Sequence, residues 1–383
     1  MIAKLLETIG NTPLIEINNF IKNREGNILL KYERSNPGGS VKDRPALHII
    51  EYAEQHGLLK PGGTIIESTS GNFGISLAMI GAVKGYHVII LADPKITDAN
   101  LALIKSFGAE VIIVTEQDNS GSYHKTRIAL ANKMAKKIEN SFRPDQCFSL
   151  LNSDAHYKKT AQELKNDCGQ RISILIAPVS TGGQLGGISR YLKENIPNIK
   201  IIGVDAVGSS VFGGTEHSYK TPGVGLSWTP CNLNLNYIDC VYKITDEQAF
   251  VTARAFAKHE GILMGPSSGA CALVALSLVQ SVTVDGYIIS MVSDGGERYI
   301  STLFNDDWMK NQGFSTNYDI NTIRFLARQL TPWSIKPSEC SNYNSGLINI
   351  LNVPTTTLDI NSKFQCRTNE NMDHPSPMNP SPS

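Results

Sequence analysis

Short apolar runs alternate with longer amphipathic stretches between about residues 27 and 310. The apolar runs predict buried strands, and the stretches with apolar residues three or four positions apart predict helices. Strands that alternate with helices are typical of a parallel sheet covered by helices on both faces. The predicted strands are 27–31, 64–67, 87–91, 110–114, 172–177, 201–205 and 286–292, and the predicted helices include 45–55, 72–84, 99–107 and 124–139. The length of 383 residues leaves room for two such units, with a boundary near residue 150.

The residues after 315 break this alternation. A helix is predicted over 319–330, and beyond it the chain is rich in Pro, Ser, Asn and Thr. Such a composition cannot bury enough apolar surface to fold by itself. We therefore predict that 316–383 is a poorly ordered tail without a catalytic part; a partner-binding tail is the alternative.

Charge and cysteine usage exclude several classes of protein. Lys plus Arg (35) balances Asp plus Glu (35), which gives no support to a nucleic-acid partner. The seven cysteines are scattered without a Cys-x-x-Cys pair, so we expect neither a disulfide framework nor a metal site. The first residues lack the apolar stretch and cleavage site typical of a signal peptide, and the apolar runs are too short to cross a bilayer. A cytoplasmic location without membrane contact is predicted.

One lysine is distinguished by its surroundings. Lys42 follows a glycine turn, Asn-Pro-Gly-Gly-Ser, and precedes a predicted helix. An ordinary lysine is exposed and solvated, but four further segments suit a pyridoxal phosphate enzyme. Such an enzyme needs a Schiff-base lysine, a carboxylate-binding turn, a phosphate-cradling turn and a hydroxyl partner for a pyridine nitrogen. The four segments are 68–72 (Ser-Thr-Ser-Gly-Asn), 180–184 (Ser-Thr-Gly-Gly-Gln), 265–269 (Gly-Pro-Ser-Ser-Gly) and 294–299 (Asp-Gly-Gly-Glu-Arg-Tyr).

Each turn has an ordinary interpretation as well. Backbone N–H groups at a helix N-terminus attract anions, so 180–183 suits a phosphate and 68–72 suits a substrate carboxylate. Taken alone, 180–183 is more typical of a plain strand-to-helix turn, and 68–72 is as consistent with a Ser/Thr helix cap as with a carboxylate site. Ser267 is either a capping serine or a neutral hydroxyl beside a pyridine nitrogen. In the second role it would favour loss of a β-leaving group over transamination.

With these segments in this order, the chain resembles the cysteine synthase and cystathionine β-synthase family, the fold-type II pyridoxal phosphate enzymes. Further matches are 10–14 (Gly-Asn-Thr-Pro-Leu), 260–263 (Glu-Gly-Ile-Leu) and 294–302. The resemblance covers about residues 4–310. It implies pyridoxal 5′-phosphate as the cofactor, an α/β fold and two domains, each with a twisted, mostly parallel sheet flanked by helices.

The resemblance implies a role for each matching residue. Lys42 would form the Schiff base and move the Cα proton, Asn72 would contact the cofactor's 3′ oxygen, and Ser267 its ring nitrogen. The 5′ phosphate would be bound by Ser180, Thr181, Gly182, Gly183 and Gln184. The substrate carboxylate would be bound by Thr69, Ser70, Asn72 and Gln146, and Gly223 lies in a loop similar to one that passes close to the amino-acid substrate.

The resemblance also implies a domain layout and a reaction. A smaller, mobile domain (1–151) would carry Lys42 and the carboxylate turn, with residues near 1–35 crossing to the larger domain (152–315), which would carry the phosphate turn and Ser267. The reaction would be β-replacement on an activated L-serine through an aminoacrylate, and closure of the smaller domain would exclude water. A homodimer is expected from the family.

Departures from the cysteine synthase pattern point to a different nucleophile. Ser180 replaces a glycine, Phe73 a threonine, Cys147 an aromatic residue and Lys95 an acidic residue, and Arg127 stands where a small residue is usual. Each could be drift. Together they favour a pocket with added positive charge, where Arg127 or Lys95 meets a carboxylate of a larger amine nucleophile.

The pattern is most similar to the N-(2-amino-2-carboxyethyl)-L-glutamate synthases of siderophore pathways. These join O-phospho-L-serine to L-glutamate on the route to 2,3-diaminopropionate. A cysteine synthase that uses O-acetylserine or O-phosphoserine with sulfide is the alternative. A catalytically inactive paralogue that acts as a scaffold is a more remote alternative.

Overall fold

The computed structural model describes residues 2–21, 27–118, 121–281 and 284–335, and it contains two sheets flanked by helices. The part of the predicted tail beyond residue 335 lies outside the described residues. The helix predicted over 319–330 is present as Ile320–Arg328.

The larger sheet has six strands in the order β1-β2-β10-β7-β8-β9. The N-terminal pair β1–β2 is antiparallel, and every other neighbouring pair in this sheet is parallel. β2 pairs with β10 along its whole length, so the N-terminal segment is built into the sheet formed by the second half of the chain. The strands are β1 (Leu14–Glu16), β2 (Asn27–Tyr32), β7 (Ile172–Pro178), β8 (Lys200–Ala206), β9 (Cys240–Ile244) and β10 (Tyr287–Val292).

The smaller sheet has four parallel strands in the order β5-β4-β3-β6. Its central strands, β3 and β4, are almost entirely buried, as expected for a parallel sheet covered on both faces. The strands are β3 (Thr64–Ser68), β4 (His87–Ala92), β5 (Glu110–Ile113) and β6 (Ser141–Phe142).

Helices cover both faces of each sheet. On the larger sheet, apolar side chains of α8, α9 and α11 form one core, and those of α6 and α7 form another on the opposite face. On the smaller sheet, α1, α2 and α3 pack on one face and α4 on the other. The helices are α1 (Asp43–Gln55), α2 (Asn72–Lys84), α3 (Asp98–Ser106), α4 (His124–Lys137), α5 (Leu151–Ala155), α6 (Ala161–Cys168), α7 (Gly183–Asn195), α8 (Asp246–Glu260), α9 (Pro266–Ser281), α10 (Asp306–Asn311) and α11 (Ile320–Arg328). A π-helical turn, His156–Thr160, joins α5 to α6.

The predicted α/β class with mostly parallel sheets is confirmed, and seven predicted strands occur within two residues of their expected bounds. Three further strands, β1, β6 and β9, were not predicted. No helix within the described ranges is long and apolar enough to cross a membrane.

Candidate active site

Lys42 lies directly before α1, between the two sheets. Its ammonium nitrogen is 3.5 Å from the Oγ1 of Thr181, which follows β7 at the end of the larger sheet. Burial lowers the pKa of Lys42, while Cys147 and Asp294 act in the opposite direction. Burial therefore favours the uncharged form of the Lys42 amine, which is the form that reacts with a carbonyl carbon.

The turn 180–182 leads from β7 into the N-terminus of α7. Gly182 has φ +80°, and an added Cβ would meet Pro230 at 2.8 Å. A Cβ on Gly183 would lie 2.0 Å from the Oδ1 of Asn152. Both positions therefore require glycine. The first N–H groups of α7 lack partners within the helix and leave an anion site at this turn.

Thr181 and Gln184 are held by buried neighbours. Asn152 donates to the Oγ1 of Thr181 (3.0 Å) and to the carbonyl of Gln146 (2.8 Å), which joins the phosphate turn to the Gln146 segment. Gln184 accepts a hydrogen bond from Ser293 at the end of β10 (3.0 Å). Ser180 donates to the carbonyl of Gly225 at 3.4 Å.

Asn72 begins α2, and its amide nitrogen donates to the Oδ2 of Asp294 at 2.7 Å. The hydroxyl of Tyr299 donates to the same oxygen at 2.6 Å. One N–H of the Asn72 amide is used by Asp294, and the second N–H remains for an oxygen of a bound molecule. Asp294 thus fixes the orientation of the residue that was predicted to contact the cofactor's 3′ oxygen.

Ser267 lies in the first turn of α9 and is 3% exposed. Gly223, with φ +79°, passes in front of it: an added Cβ would lie 3.6 Å from the Ser267 hydroxyl. The next serine, Ser268, accepts a hydrogen bond from the backbone of Ser293 at 3.0 Å. The hydroxyl of Ser267 therefore faces the side of the site that the loop of Gly223 borders.

The turn 68–72 forms a second small-residue N-terminus, at α2. Ser70 lies at its centre, and its hydroxyl contacts the Oδ2 of Asp93 (3.0 Å) and the Nη1 of Arg127 (2.8 Å). Arg127 also forms an ion pair with Asp93 at 3.1 Å and is 8% exposed. Thr69 is buried in the same turn and accepts a hydrogen bond from the N–H of Gly71.

Lys95 is exposed, and its ammonium lies 6.0 Å from the centre of the Tyr123 ring. Of the two cations proposed to meet a nucleophile carboxylate, Arg127 is therefore the one that touches the carboxylate turn.

Gln146 and Cys147 are buried on a segment that follows Asp145. Glu67, at the end of β3, accepts hydrogen bonds from the backbone N–H groups of Ser68 (2.9 Å) and Asp145 (2.6 Å) and so joins this segment to the carboxylate turn. Burial, followed by the charges of Glu67 and Asp145, raises the pKa of the Cys147 thiol to about 12. Cys147 is therefore a protonated thiol at neutral pH.

The structure brings several of the sequence-predicted residues into contact. Contacts join Lys42 to Thr181, Asn152 to both Thr181 and Gln146, and Arg127 to Ser70. Sequence reasoning missed Asp294 as a partner of Asn72, and it missed Asn152 and Asp93 altogether. Asp294 stands in a recognised segment, but Asn152 carries no signal in the chain.

The arrangement fits pyridoxal phosphate. Within the described residues, four buried polar atoms of these side chains have no hydrogen-bond partner: the Oδ1 of Asn72, the Oε1 of Gln146, the Oδ1 of Asn152 and the Nε2 of Gln184. The glycine turn at α7 suits the phosphate, Lys42 the aldehyde, Asn72 the 3′ oxygen and Ser267 the ring nitrogen. Buried polar groups in folded proteins nearly always have partners, so these atoms mark a site built for a polar ligand.

Comparison with known proteins agrees with this geometry. The family model described as "Pyridoxal-phosphate dependent enzyme" matches residues 5–294. Among solved structures, the chain is similar to a hydrogen sulfide-producing enzyme from Fusobacterium nucleatum, with 36% identity and a TM-score of 0.73 over 78% of this chain and 100% of that one.

The chain is also similar to an O-ureido-L-serine synthase, with 30% identity and a TM-score of 0.74 over 81% of this chain and 99% of that one. An O-acetylserine-dependent cystathionine β-synthase from Helicobacter pylori is 32% identical, with a TM-score of 0.72 over 79% of this chain and 98% of that one. The chain therefore belongs to the pyridoxal-phosphate dependent enzymes of fold type II.

Proposed function

We propose that this enzyme catalyses β-replacement on an activated L-serine, joining O-phospho-L-serine to L-glutamate to give N-(2-amino-2-carboxyethyl)-L-glutamate and phosphate. This product is a precursor of 2,3-diaminopropionate for siderophore synthesis. The observation that carries the proposal is the hydrogen bond between the guanidinium of Arg127 and the hydroxyl of Ser70 (2.8 Å). It places a buried cation beside the turn proposed to bind the amino-acid substrate, where sulfide as nucleophile would need none.

The residues of the chain supply positioning and proton transfer. Bound pyridoxal phosphate acts as an electron sink, which allows a Cα proton and a β-leaving group to depart. Lys42, whose pKa is lowered by burial, accepts that proton at its Nζ. The hydroxyl of Thr69 and the backbone N–H groups of Ser70 and Asn72 hold the substrate carboxylate, with Gln146 as a further partner. Ser267 offers a neutral hydroxyl rather than a carboxylate to the ring nitrogen, which keeps the sink weak and favours β-elimination.

A cysteine synthase reaction, with O-acetylserine or O-phosphoserine and sulfide, is the second candidate. The similarity to an O-acetylserine-dependent enzyme supports O-acetylserine as the amino-acid substrate. The ion pair between Arg127 and Asp93 also favours this second candidate, because part of the Arg127 charge is already compensated.

Turnover of the holoenzyme separates these candidates. Purified protein is incubated with O-phospho-L-serine and either L-glutamate or sulfide, and phosphate release and product mass are followed. We expect the mass of the two-amino-acid adduct with glutamate, and loss of all turnover in Lys42→Ala. Cysteine formation without any adduct would make the enzyme a cysteine synthase. A colourless protein that takes up no cofactor would support the inactive-scaffold alternative.

The role of Arg127 is tested by Arg127→Gln. Without this hydrogen-bonded cation, the carboxylate of the nucleophile would bind more weakly. We expect kcat/KM for glutamate to fall about 10- to 100-fold. The half-exposed Arg190→Gln is the matched control, because Arg190 pairs with Glu194 on the surface of α7. An equal loss with sulfide would show that Arg127 serves the carboxylate turn rather than the nucleophile. The homodimer, the cytoplasmic location and the domain boundary near 151 remain predictions.

A further inference from the structure

In the region of Arg127, three side-chain nitrogens are buried without a hydrogen-bond partner among the described residues. They are the Nε2 of His124, the Nε of Arg127 and the Nε1 of Trp228. The arginine and indole nitrogens are always donors, and the imidazole nitrogen is a donor in one of its two tautomers. Buried donors nearly always have partners in folded proteins, and the proposed function above assigns a partner to the Arg127 guanidinium but none to the nitrogens of His124 and Trp228.

The three side chains lie near one another. His124 and Arg127 are three residues apart in α4 and so share one face of that helix. Trp228 comes from a loop after β8, and its ring centre is 4.9 Å from that of His124. It also stacks on Phe148, next to Cys147, with centres 6.2 Å apart. Because Arg127 also reaches Ser70, this donor cluster (His124, Arg127, Trp228) borders the proposed substrate site.

The electrostatics of the donor cluster select the kind of ligand. Burial, followed by Arg127 and Arg143, lowers the pKa of His124 to about 4, while Asp118 and Asp93 act in the opposite direction. The imidazole is therefore neutral at pH 7 and lies in a field that is positive on balance. With one paired guanidinium and two neutral N–H groups, the cluster suits a singly charged carboxylate, whose two oxygens accept up to four hydrogen bonds.

We propose that the donor cluster of His124, Arg127 and Trp228 binds the distal carboxylate of the nucleophile amino acid and makes this enzyme selective for an acidic nucleophile. The inference rests on the proposed function, since it needs an amino-acid nucleophile. It adds His124 and Trp228, which no sequence pattern singled out, as residues that determine specificity. Discrimination between L-glutamate and L-glutamine then depends on donors that only a charged oxygen pair satisfies fully.

Calorimetric titration of the holoenzyme with L-glutamate and with L-glutamine tests the donor cluster without turnover. Trp228→Phe keeps the aromatic ring and removes only the N–H, and His124→Phe does the same for the imidazole. In each variant we expect the Kd for L-glutamate to rise about tenfold, as for one lost hydrogen bond to a charged group, with little change for L-glutamine. Trp308→Phe is the matched control, because Trp308 packs against Phe250 and Phe314 instead.

Each outcome has a defined meaning. Equal affinity of the wild type for the two amino acids, or equal effects of Trp228→Phe and Trp308→Phe, would overturn the donor cluster. Selective binding of glutamate without formation of the adduct would support the role of the donor cluster and contradict the proposed reaction. Adduct formation with an unchanged KM for glutamate in Trp228→Phe and His124→Phe would support the reaction and contradict the role of the donor cluster.

Discussion

Asp294 shows how one carboxylate orients a residue that was identified from sequence. Its Oδ2 accepts hydrogen bonds from both Asn72 and Tyr299, and it is 3% exposed. Asp294→Asn removes the negative acceptor that fixes the Asn72 amide. We expect the affinity for pyridoxal phosphate to fall about tenfold, since hydrogen bonds to buried charged groups are worth about 1.5–3 kcal/mol.

The affinity is measured by the fluorescence or visible absorbance of the reconstituted apoprotein. Tyr299→Phe is the graded comparison, because it removes one donor and leaves the Asn72 contact in place. An unchanged cofactor affinity in Asp294→Asn would mean that Asn72 is oriented by its helix alone.

Cys147 gives a second prediction at the level of one residue. Its pKa of about 12 leaves almost no thiolate at pH 7.5, and it is 9% exposed. We expect iodoacetamide to leave Cys147 unmodified in the native enzyme and to modify it after unfolding in urea, with peptide mass spectrometry as the measurement. Half-buried Cys240, whose pKa is also raised by burial, is an internal comparison. Rapid native labelling of Cys147 would show that the site opens far more often than its packing implies.

Helix α7 is the element on which the phosphate turn depends, and its close approach to a neighbouring loop requires glycine. An added Cβ on Gly186 would lie 1.9 Å from the carbonyl oxygen of Asn232. Gly186→Ala must therefore push α7 away from the 230–233 loop. We expect a loss of about 1–3 kcal/mol in the free energy of unfolding, as for other overpacked sites, together with weaker cofactor binding.

Urea unfolding measures this cost. Gly71→Ala is the matched control for stability, because a Cβ there meets no atom within 4 Å. If both variants unfold at the same urea concentration, α7 shifts without strain and its position is less constrained than the contacts indicate.

The elements also show what the sequence could predict. The long apolar runs of β3, β4, β7 and β8 were found because buried parallel strands are continuous in apolar residues. In contrast, β6 has two residues and β1 three, too few for a periodic pattern to appear. β9 follows the long irregular stretch 207–239 and was not predicted.

The residues of the candidate site also fall into those that the sequence could identify and those that it could not. Lys42, Asn72, Ser267 and the 180–184 turn were found because each sits in a local motif. Asp294 in its role toward Asn72 could not be found, because the two residues are 222 positions apart and only the folded chain brings them together. The contact between Trp228 and His124 could not be predicted for the same reason. It joins a loop after β8 to α4, and neither residue lies in a sequence motif.

At the scale of the whole molecule, a buried charge network connects the N-terminal segment to helices on both sides of the site. Arg44 of α1 contacts Glu33 (2.6 Å) and Glu163 of α6 (2.6 Å), and Lys31 of β2 contacts Glu163 (2.9 Å). Although burial alone would raise it, hydrogen bonds and charge from Arg44 and Lys31 lower the pKa of Glu163 to about 2. Lys31 and Arg44 are fully buried side chains, so they depend on Glu163 for part of their compensation.

We predict that replacing Glu163 by Gln causes a pH-dependent loss of stability. The folded pKa of about 2 lies below the unfolded value of 4.5, so the carboxylate stabilises the fold fully above about pH 4.5 and loses this effect as pH falls toward 2. After allowance for partial solvent screening, we expect Glu163→Gln to lower the free energy of unfolding by about 2–3 kcal/mol at pH 7. The difference from the wild type should shrink between pH 4.5 and pH 3, as measured by urea unfolding at each pH. The exposed Glu139→Gln is the control and should change stability by less than about 0.5 kcal/mol at every pH. A deficit in Glu163→Gln that stayed constant down to pH 3 would show that the network stabilises the molecule through packing and not through the ionised carboxylate.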